Sequence, residues 1–247
     1  MAESSLYRVE IRTTDLERAT AFYTSVFGWK ATREAPDYVS LDPGGGPLVA
    51  LMQIPGPHVP IGVCPYVTVA DCGEAVKTLN LFGGRVLIPP THNPAEGAFA
   101  VGTDPHGNEI GMIQLDAGMI EPRPLGGTSP IVWMEIPYAK LAAGASFYQQ
   151  MFEWTFLGNP NIPDTGFFKG DERPVGVSVV ANPHAKETRG STLYFAVESV
   201  AEARAKIQAA GGQVAPDTGT APGEGAFTLF GDLDNLRFGL YQTTSIH

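Results

Sequence analysis

The sequence predicts an α+β protein: a tandem pair of domains built from four β-α-β-β-β modules. Three observations carry this. First, the chain repeats itself. Residues 9–29 read VEIRTTDLERATAFYTSVFGW, and residues 134–154 read MEIPYAKLAAGASFYQQMFEW. Without a gap, Glu10 falls on Glu135, Phe22-Tyr23 on Phe147-Tyr148, Phe27 on Phe152 and Trp29 on Trp154. Further on, Tyr66 falls on Tyr194, Gly83-Gly84 on Gly211-Gly212, Gly97-Ala98-Phe99 on Gly225-Ala226-Phe227, Asp104 on Asp232 and Gln114 on Gln242. Self-similarity of this length marks a duplicated domain. Second, each half carries two helix patterns with start and stop signals. Third, the 29 glycines and 21 prolines follow no collagen-like period and divide the chain into short β-rich runs.

The elements follow in order. RVEIRT is a strand. Asp15 then N-caps a helix with apolar positions Leu16, Ala19, Tyr23, Val26 and Phe27, stopped by Gly28. Short runs over residues 37–54 complete the module. PYVTVA opens the next, and Asp71 with Glu74 starts a helix through Val76, Leu79 and Phe82 that Gly83-Gly84 ends. Residues 86–115 supply its remaining strands. VWMEIP and a helix through Leu141, Tyr148, Met151 and Phe152 begin the third module. TLYFAV, with Ser199 and Glu202 before Val200, Ala203 and Ile207, begins the fourth. Gly- and Pro-rich residues 118–130 have no periodicity and read as a linker between domains 1–117 and 131–247. The aromatic set Phe22, Tyr23, Phe27 and Trp29 reads as core, and so does its copy.

Composition excludes several classes. A formal net charge of −10 argues against nucleic acid and anionic membrane as partners, since both attract clustered Lys and Arg. No apolar run is long enough to span a bilayer, and no signal peptide is visible. Two cysteines, Cys64 and Cys72, give no disulfide framework, so a reducing, cytoplasmic setting is expected. Cys64 and Cys72 both read as small buried residues, with the helix-start position of Cys72 as the one signal for a mildly acidic thiol. The five histidines lie in loops or at the terminus without ligand spacing.

Four such modules, FY in the first helix, FGW after it, GG after the second helix and Asp104-Pro105-His106-Gly107-Asn108 before the last strand are a specific combination. Over nearly its full length the chain resembles the vicinal oxygen chelate superfamily of glyoxalases, bleomycin-resistance proteins and extradiol dioxygenases. The resemblance implies paired modules curled into half-open barrels, each around a cavity that binds a small molecule. It also implies a divalent metal held by first-strand His and last-strand Glu. The matching first-strand positions are Arg8, Cys64, Trp133 and Thr192, and the last-strand positions are Gly111 and Gly239. These residues supply no convincing ligand set, so the expectation is no metal and no other cofactor.

Alternate residues of a strand share a face. Arg8, Glu10 and Arg12 therefore share one face, and Cys64, Tyr66 and Thr68 share another. Trp133, Glu135 and Pro137 form the corresponding face in the second copy, as do Thr192, Tyr194 and Ala196. The resemblance makes these faces the cavity walls. Glu10, Tyr66, Glu135 and Tyr194 are the catalytic candidates. A carboxylate in a partly apolar cavity has its pKa raised and can exchange protons near neutral pH, while a phenol can polarise a carbonyl. Arg8, Arg12, Cys64, Trp133 and Thr192 are the substrate-binding candidates. Retention in both copies also fits a purely structural role for the glutamates and tyrosines. Gln114 and Gln242 read as polar strand ends. Two functions compete. One is a glyoxalase-like enzyme of lyase, isomerase or oxidoreductase type, acting on a carbonyl or polyketide-like substrate by metal-independent acid–base chemistry. The other is a non-catalytic protein that sequesters an aromatic or antibiotic-type ligand. Either would be a monomer or homodimer.

Overall fold

The computed structural model describes residues 4–56, 58–118, 123–160, 163–169, 175–182, 184, 190–216, 219–220 and 225–242. The first module comprises β1 (Leu6–Thr13), α1 (Leu16–Phe27), β2 (Lys30–Ala35), β3 (Tyr38–Asp42) and β4 (Leu48–Gln53). The second comprises β5 (Gly62–Thr68), α2 (Cys72–Leu81), β6 (Arg85–Asn93), β7 (Gly97–Thr103) and β8 (Glu109–Leu115). The third comprises β9 (Ile131–Tyr138), α3 (Leu141–Phe152), β10 (Thr155–Gly158), β11 (Thr165–Lys169) and β12 (Gly176–Ala181). The fourth comprises β13 (Thr192–Val197), α4 (Val200–Ala209), β14 (Gln213–Val214), β15 (Gly219–Thr220), β16 (Ala226–Gly231) and β17 (Arg237–Gln242). The four modules are those the repeat predicts.

Each module repeats one strand order: β2-β3-β4-β1, β5-β8-β7-β6, β10-β11-β12-β9 and β13-β17-β16-β14. The first strand pairs in parallel with the last of its module, and the other pairs within each module are antiparallel. Parallel pairing needs a crossover connection, which the helix supplies. No strand path closes on itself among the described residues, so the sheets are open.

The helix ends follow the sequence signals. Asp15 accepts from the Arg18 amide, Asp71 from Glu74 and Ser199 from Glu202. Gly28 ends α1 in the left-handed region at φ 71°, where a residue without Cβ is unstrained. Lys140 precedes α3 without a side-chain cap. Gln114 and Gln242 do more than end their strands. Gln114 Oε1 accepts from the Cys72 amide at 3.0 Å, and Gln242 Oε1 from the Val200 amide at 3.1 Å. Each thus satisfies a helix N-terminal donor that has no partner within the helix.

The compact units are not the two sequence halves. One comprises Met1–Tyr7, Cys64–Pro122 and Trp133–Ser191; the other comprises Arg8–Val63, Arg123–Val132 and Thr192–His247. Aromatic packing explains the second unit. Phe27 lies 4.9 Å from Trp29 and 5.0 Å from Phe195, and Tyr23 meets Phe238 edge-on at 6.2 Å. The α1 face thus buries against residues of the fourth module. Part of the expected linker also belongs to this unit. Arg123 pairs with Asp42 at 2.9 Å, the Gly46 amide donates to Pro124 O, and Trp29 Nε1 donates to Thr128 O at 2.8 Å. In the first unit Trp154 packs at a tilt against Phe152 and Phe168, at 4.7 and 5.3 Å, and its Nε1 donates to Ser4 O.

Each unit also buries one aspartate from the turn before a last strand. In the second, Tyr23 donates its hydroxyl to Asp232 Oδ2 at 2.8 Å, while Asp234 and Leu236 amides donate to Oδ1. In the first, Asp104 accepts from the amides of His106 and Asn108, from Asn108 Nδ2 and from the Tyr148 hydroxyl. Burial raises both carboxyls above their ordinary range, and the hydrogen bonds oppose that rise. Burial, then the facing aspartate, pushes the Tyr23 and Tyr148 hydroxyls well up. His106, a loop residue, lies tilted against Tyr138 with ring centroids 4.0 Å apart.

Candidate functional site

The first unit holds Cys64, Tyr66, Trp133 and Glu135 among the candidates, and the second holds Arg8, Glu10, Arg12, Thr192 and Tyr194. In the first unit, Cys64 and Tyr66 are buried with Val101 and Ile113, and Tyr7, Phe99 and Leu115 pack against them. This wall is an apolar cluster. Cys64 is buried as a small apolar side chain, as the sequence suggests. Cys72 is likewise buried, and its helix-start position does not make it acidic. Burial first, and the Asp71 carboxylate in addition, push its thiol up to about 11, and Sγ donates to Ala98 O. It is therefore not an acidic thiol, because burial outweighs its helix-start position.

Tyr66 stands opposite Gly111 on the parallel neighbour strand. A Cβ at Gly111 would fall 2.4 Å from the Tyr66 ring. The second unit repeats the arrangement: Tyr194 stands opposite Gly239, and a Cβ there would fall 2.1 Å from its ring. Real Cβ atoms do not approach so closely. The tyrosine ring therefore fills the volume that a carboxylate side chain at 111 or 239 would need. The first-strand positions do not compensate. Arg8 is cationic, Trp133 has no metal-binding atom, and Thr192 Oγ1 accepts from Arg237 Nη2 at 3.2 Å. Among the described residues no three His, Cys, Asp or Glu side chains converge on a point. The residues present do not fit the divalent ion that the family resemblance implies.

The first-strand faces differ between the units. In β1, Arg8, Glu10 and Arg12 stand opposite Leu48, Ala50 and Met52 of β4. Glu10 is half-buried, and the Arg12 guanidinium lies over Gly62, where a Cβ would fall 2.6 Å from Nη2. In β9, Trp133 and Glu135 stand opposite Gly176 and Ser178 of β12. Trp133 Nε1 donates to Ser178 Oγ at 2.9 Å. Ser178 and Gly176 were not legible as site residues. The one available signal was a glycine heading a valine-rich strand, GVSVVA.

Against known proteins, the family model described as Glyoxalase/Bleomycin resistance protein/Dioxygenase superfamily matches residues 5–112 and again 131–240. The chain is 27% identical over 240 residues to the protein named "Putative glyoxylase CFP32" of Mycobacterium tuberculosis, covering 91% of this chain and 89% of that protein. The protein of the same name from Mycobacterium bovis matches to the same extent. Among solved structures, the Mn(II)-bound glyoxalase from Novosphingobium aromaticivorans superposes with a TM-score of 0.70 at 13% identity, covering 97% of this chain and 82% of that one. The 2,3-dioxygenase LapB from Pseudomonas sp. KL28 superposes with 0.68 at 14% identity, covering 96% and 91%. At that identity the likeness shows the fold alone. Two matches to one family model, on halves that repeat the same strand order, place the chain in the glyoxalase/bleomycin resistance/dioxygenase superfamily as a two-domain member.

Proposed function

We propose that the protein is a glyoxalase-like enzyme acting on a small carbonyl or polyketide-like substrate by acid–base chemistry without a metal. The observation that supports this is the tyrosine ring standing over glycine at both last-strand positions, Tyr66 over Gly111 and Tyr194 over Gly239. The position that would bring a metal-binding carboxylate brings a phenol instead, while a carboxylate persists on the first strand of each half. In this reading Glu10 and Glu135 move the proton at the carbon beside the substrate carbonyl. Tyr66 and Tyr194 donate hydrogen bonds to the oxygen where charge develops. Arg8, Arg12 and Thr192 bind the remainder of the substrate, while Cys64 packs in the apolar cluster beside Tyr66. The protein acts in the cytoplasm as a monomer or homodimer, and its two buried free thiols suit that compartment.

The test is turnover on a panel of small dicarbonyl compounds and their thiol adducts, before and after exhaustive chelation. The expected result is unchanged turnover on chelation. Glu10→Gln or Glu135→Gln should lower kcat by roughly 100-fold or more with the melting temperature preserved, in line with the usual worth of a general base. Turnover lost on chelation and restored by Mn, Ni or Zn would overturn the reading. A second reading, sequestration without turnover, is favoured by one feature: the exposed indole of Trp133. Saturable ligand binding with no product from any panel member supports it.

A further inference from the structure

The chain has three tryptophans, and one of them is unlike the others. Trp29 and Trp154 are 3% and 2% exposed, whereas Trp133 is 37% exposed. Trp133 is nonetheless held in place. Its Nε1 bonds to Ser178 Oγ, and its six-membered ring lies on Gly176, where a Cβ would fall 2.1 Å from the ring. One face of the indole rests on the sheet and the other stays accessible. The cross-strand register extends this surface. Ser178 stands opposite Glu135 on one side and Phe167 on the other, and Phe167 stands opposite Leu157. Opposed residues project from the same face. Leu157, 41% exposed, Phe167, Glu135 and Trp133 therefore line one face of β10-β11-β12-β9. Phe168, Val177 and Val179 are buried from the opposite face.

The internal repeat shows that the fold does not need this indole. The first copy has Arg8 in place of Trp133 and Leu48 in place of Gly176, in the same register. Leucine there leaves no seat for a flat ring. Tryptophan and glycine thus occur together in one copy and are both replaced in the other. A glycine in a paired strand position brings no side chain to the sheet, so its gain lies in the close approach it permits.

We propose that Trp133 is a fixed stacking platform for a planar aromatic ligand bearing a positive charge or strong hydrogen-bond donor, with Glu135 recognising that group. This goes beyond the functional reading above in the ligand class and in the role of Glu135, and rests on it only for the idea that a small molecule binds. A preordered indole loses little rotamer entropy on binding, and its π face attracts cations and offset rings. The carboxylate on the same face, in a chain of net charge −10, selects positive over negative ligands.

The test is calorimetric titration of the full chain with three probes: 9-aminoacridine (planar, cationic), 9-anthracenecarboxylate (planar, anionic) and cyclohexylamine (cationic, not aromatic). The expected result is saturable binding of 9-aminoacridine, weaker binding of the anion and none of cyclohexylamine. Trp133→Leu should weaken 9-aminoacridine binding about tenfold, or ~1.4 kcal/mol. Trp133→Phe should keep most of the affinity, and Gly176→Val, which unseats the ring, should lose as much as Trp133→Leu. Glu135→Gln should erase the preference for the cation over the anion. If Trp133→Leu fails to fold, Gly176→Val and Trp133→Phe carry the comparison. No saturation by any planar probe up to about 1 mM, or wild-type affinity retained in both Trp133→Leu and Gly176→Val, overturns the proposal. The readout is binding alone. Binding without turnover would refute the catalytic reading and leave the platform standing; turnover and binding indifferent to Trp133 would do the reverse.

Discussion

Tyr23→Phe should destabilise the protein more than the matching change Tyr148→Phe, and the reason lies in how each buried aspartate is supplied with donors. Asp232 Oδ1 takes two backbone amides, whereas Oδ2 takes the Tyr23 hydroxyl as its partner among the described residues. Removing that hydroxyl leaves a buried carboxylate oxygen unpaired, which costs about 1–3 kcal/mol, toward the upper end because the acceptor is charged. Asp104 Oδ2 keeps the Asn108 Nδ2 bond at 2.7 Å when the Tyr148 hydroxyl is lost, so that change should cost about 0.5–1.5 kcal/mol. For a chain of this length 2 kcal/mol is roughly 4–8 °C in Tm. The effect also depends on pH. Burial raises Asp232 above 3.8 in the folded state. Its contribution is thus most favourable below the unfolded pKa and is lost as pH rises through the folded one. The Tyr23 bond opposes that rise, so its removal lifts the folded pKa further. The gap between wild type and Tyr23→Phe should be widest near neutrality and narrow as pH falls into the carboxylate range. Urea unfolding at neutral pH and at pH 4 measures both. A loss under about 0.5 kcal/mol at neutrality, or a gap that does not change with pH, would refute the account.

Alkaline pH offers another check, because the hydroxyls of Tyr23, Tyr138 and Tyr148 are all pushed above 10 by burial first and by a facing aspartate next. Their stability contribution is lost as pH rises past the unfolded value. Ultraviolet titration should therefore show these phenols ionising in one step with unfolding rather than as a separate transition near 10. Gln114→Ala and Gln242→Ala should each cost about 1 kcal/mol, as helix N-cap losses do, and Gln→Glu should recover part of it through an acceptor at the positive helix end. Scanning calorimetry of the four variants measures this, and an unchanged Tm in both alanine variants would show the caps to be idle.

The repeat made the modules and their element sequence legible from residues alone, because duplicated positions such as Glu10 and Glu135 expose the period; the order in which the strands pair was not. Caps such as Asp15 and Ser199 were equally legible, since a cap acts within three residues of itself. The partners of the retained tyrosines and glutamines were not. Tyr23 and Asp232 were both visible as repeated residues, but nothing local says that Tyr23 meets Asp232 instead of the aspartate of its own half. Nor could helix-end bonds from Gln114 and Gln242 be read, since each spans 42 residues. The exposed indole was hidden for the same reason. Trp133 as a residue type suggested an aromatic contact, but its seat on Gly176 and its bond to Ser178 exist only once β9 and β12 are in register. Hydrophobic period and capping are short-range properties that the chain carries in order. Which buried polar group satisfies which, and which ring finds room, is decided by packing between segments far apart in sequence, where the cost of an unpaired group or a clash selects one arrangement.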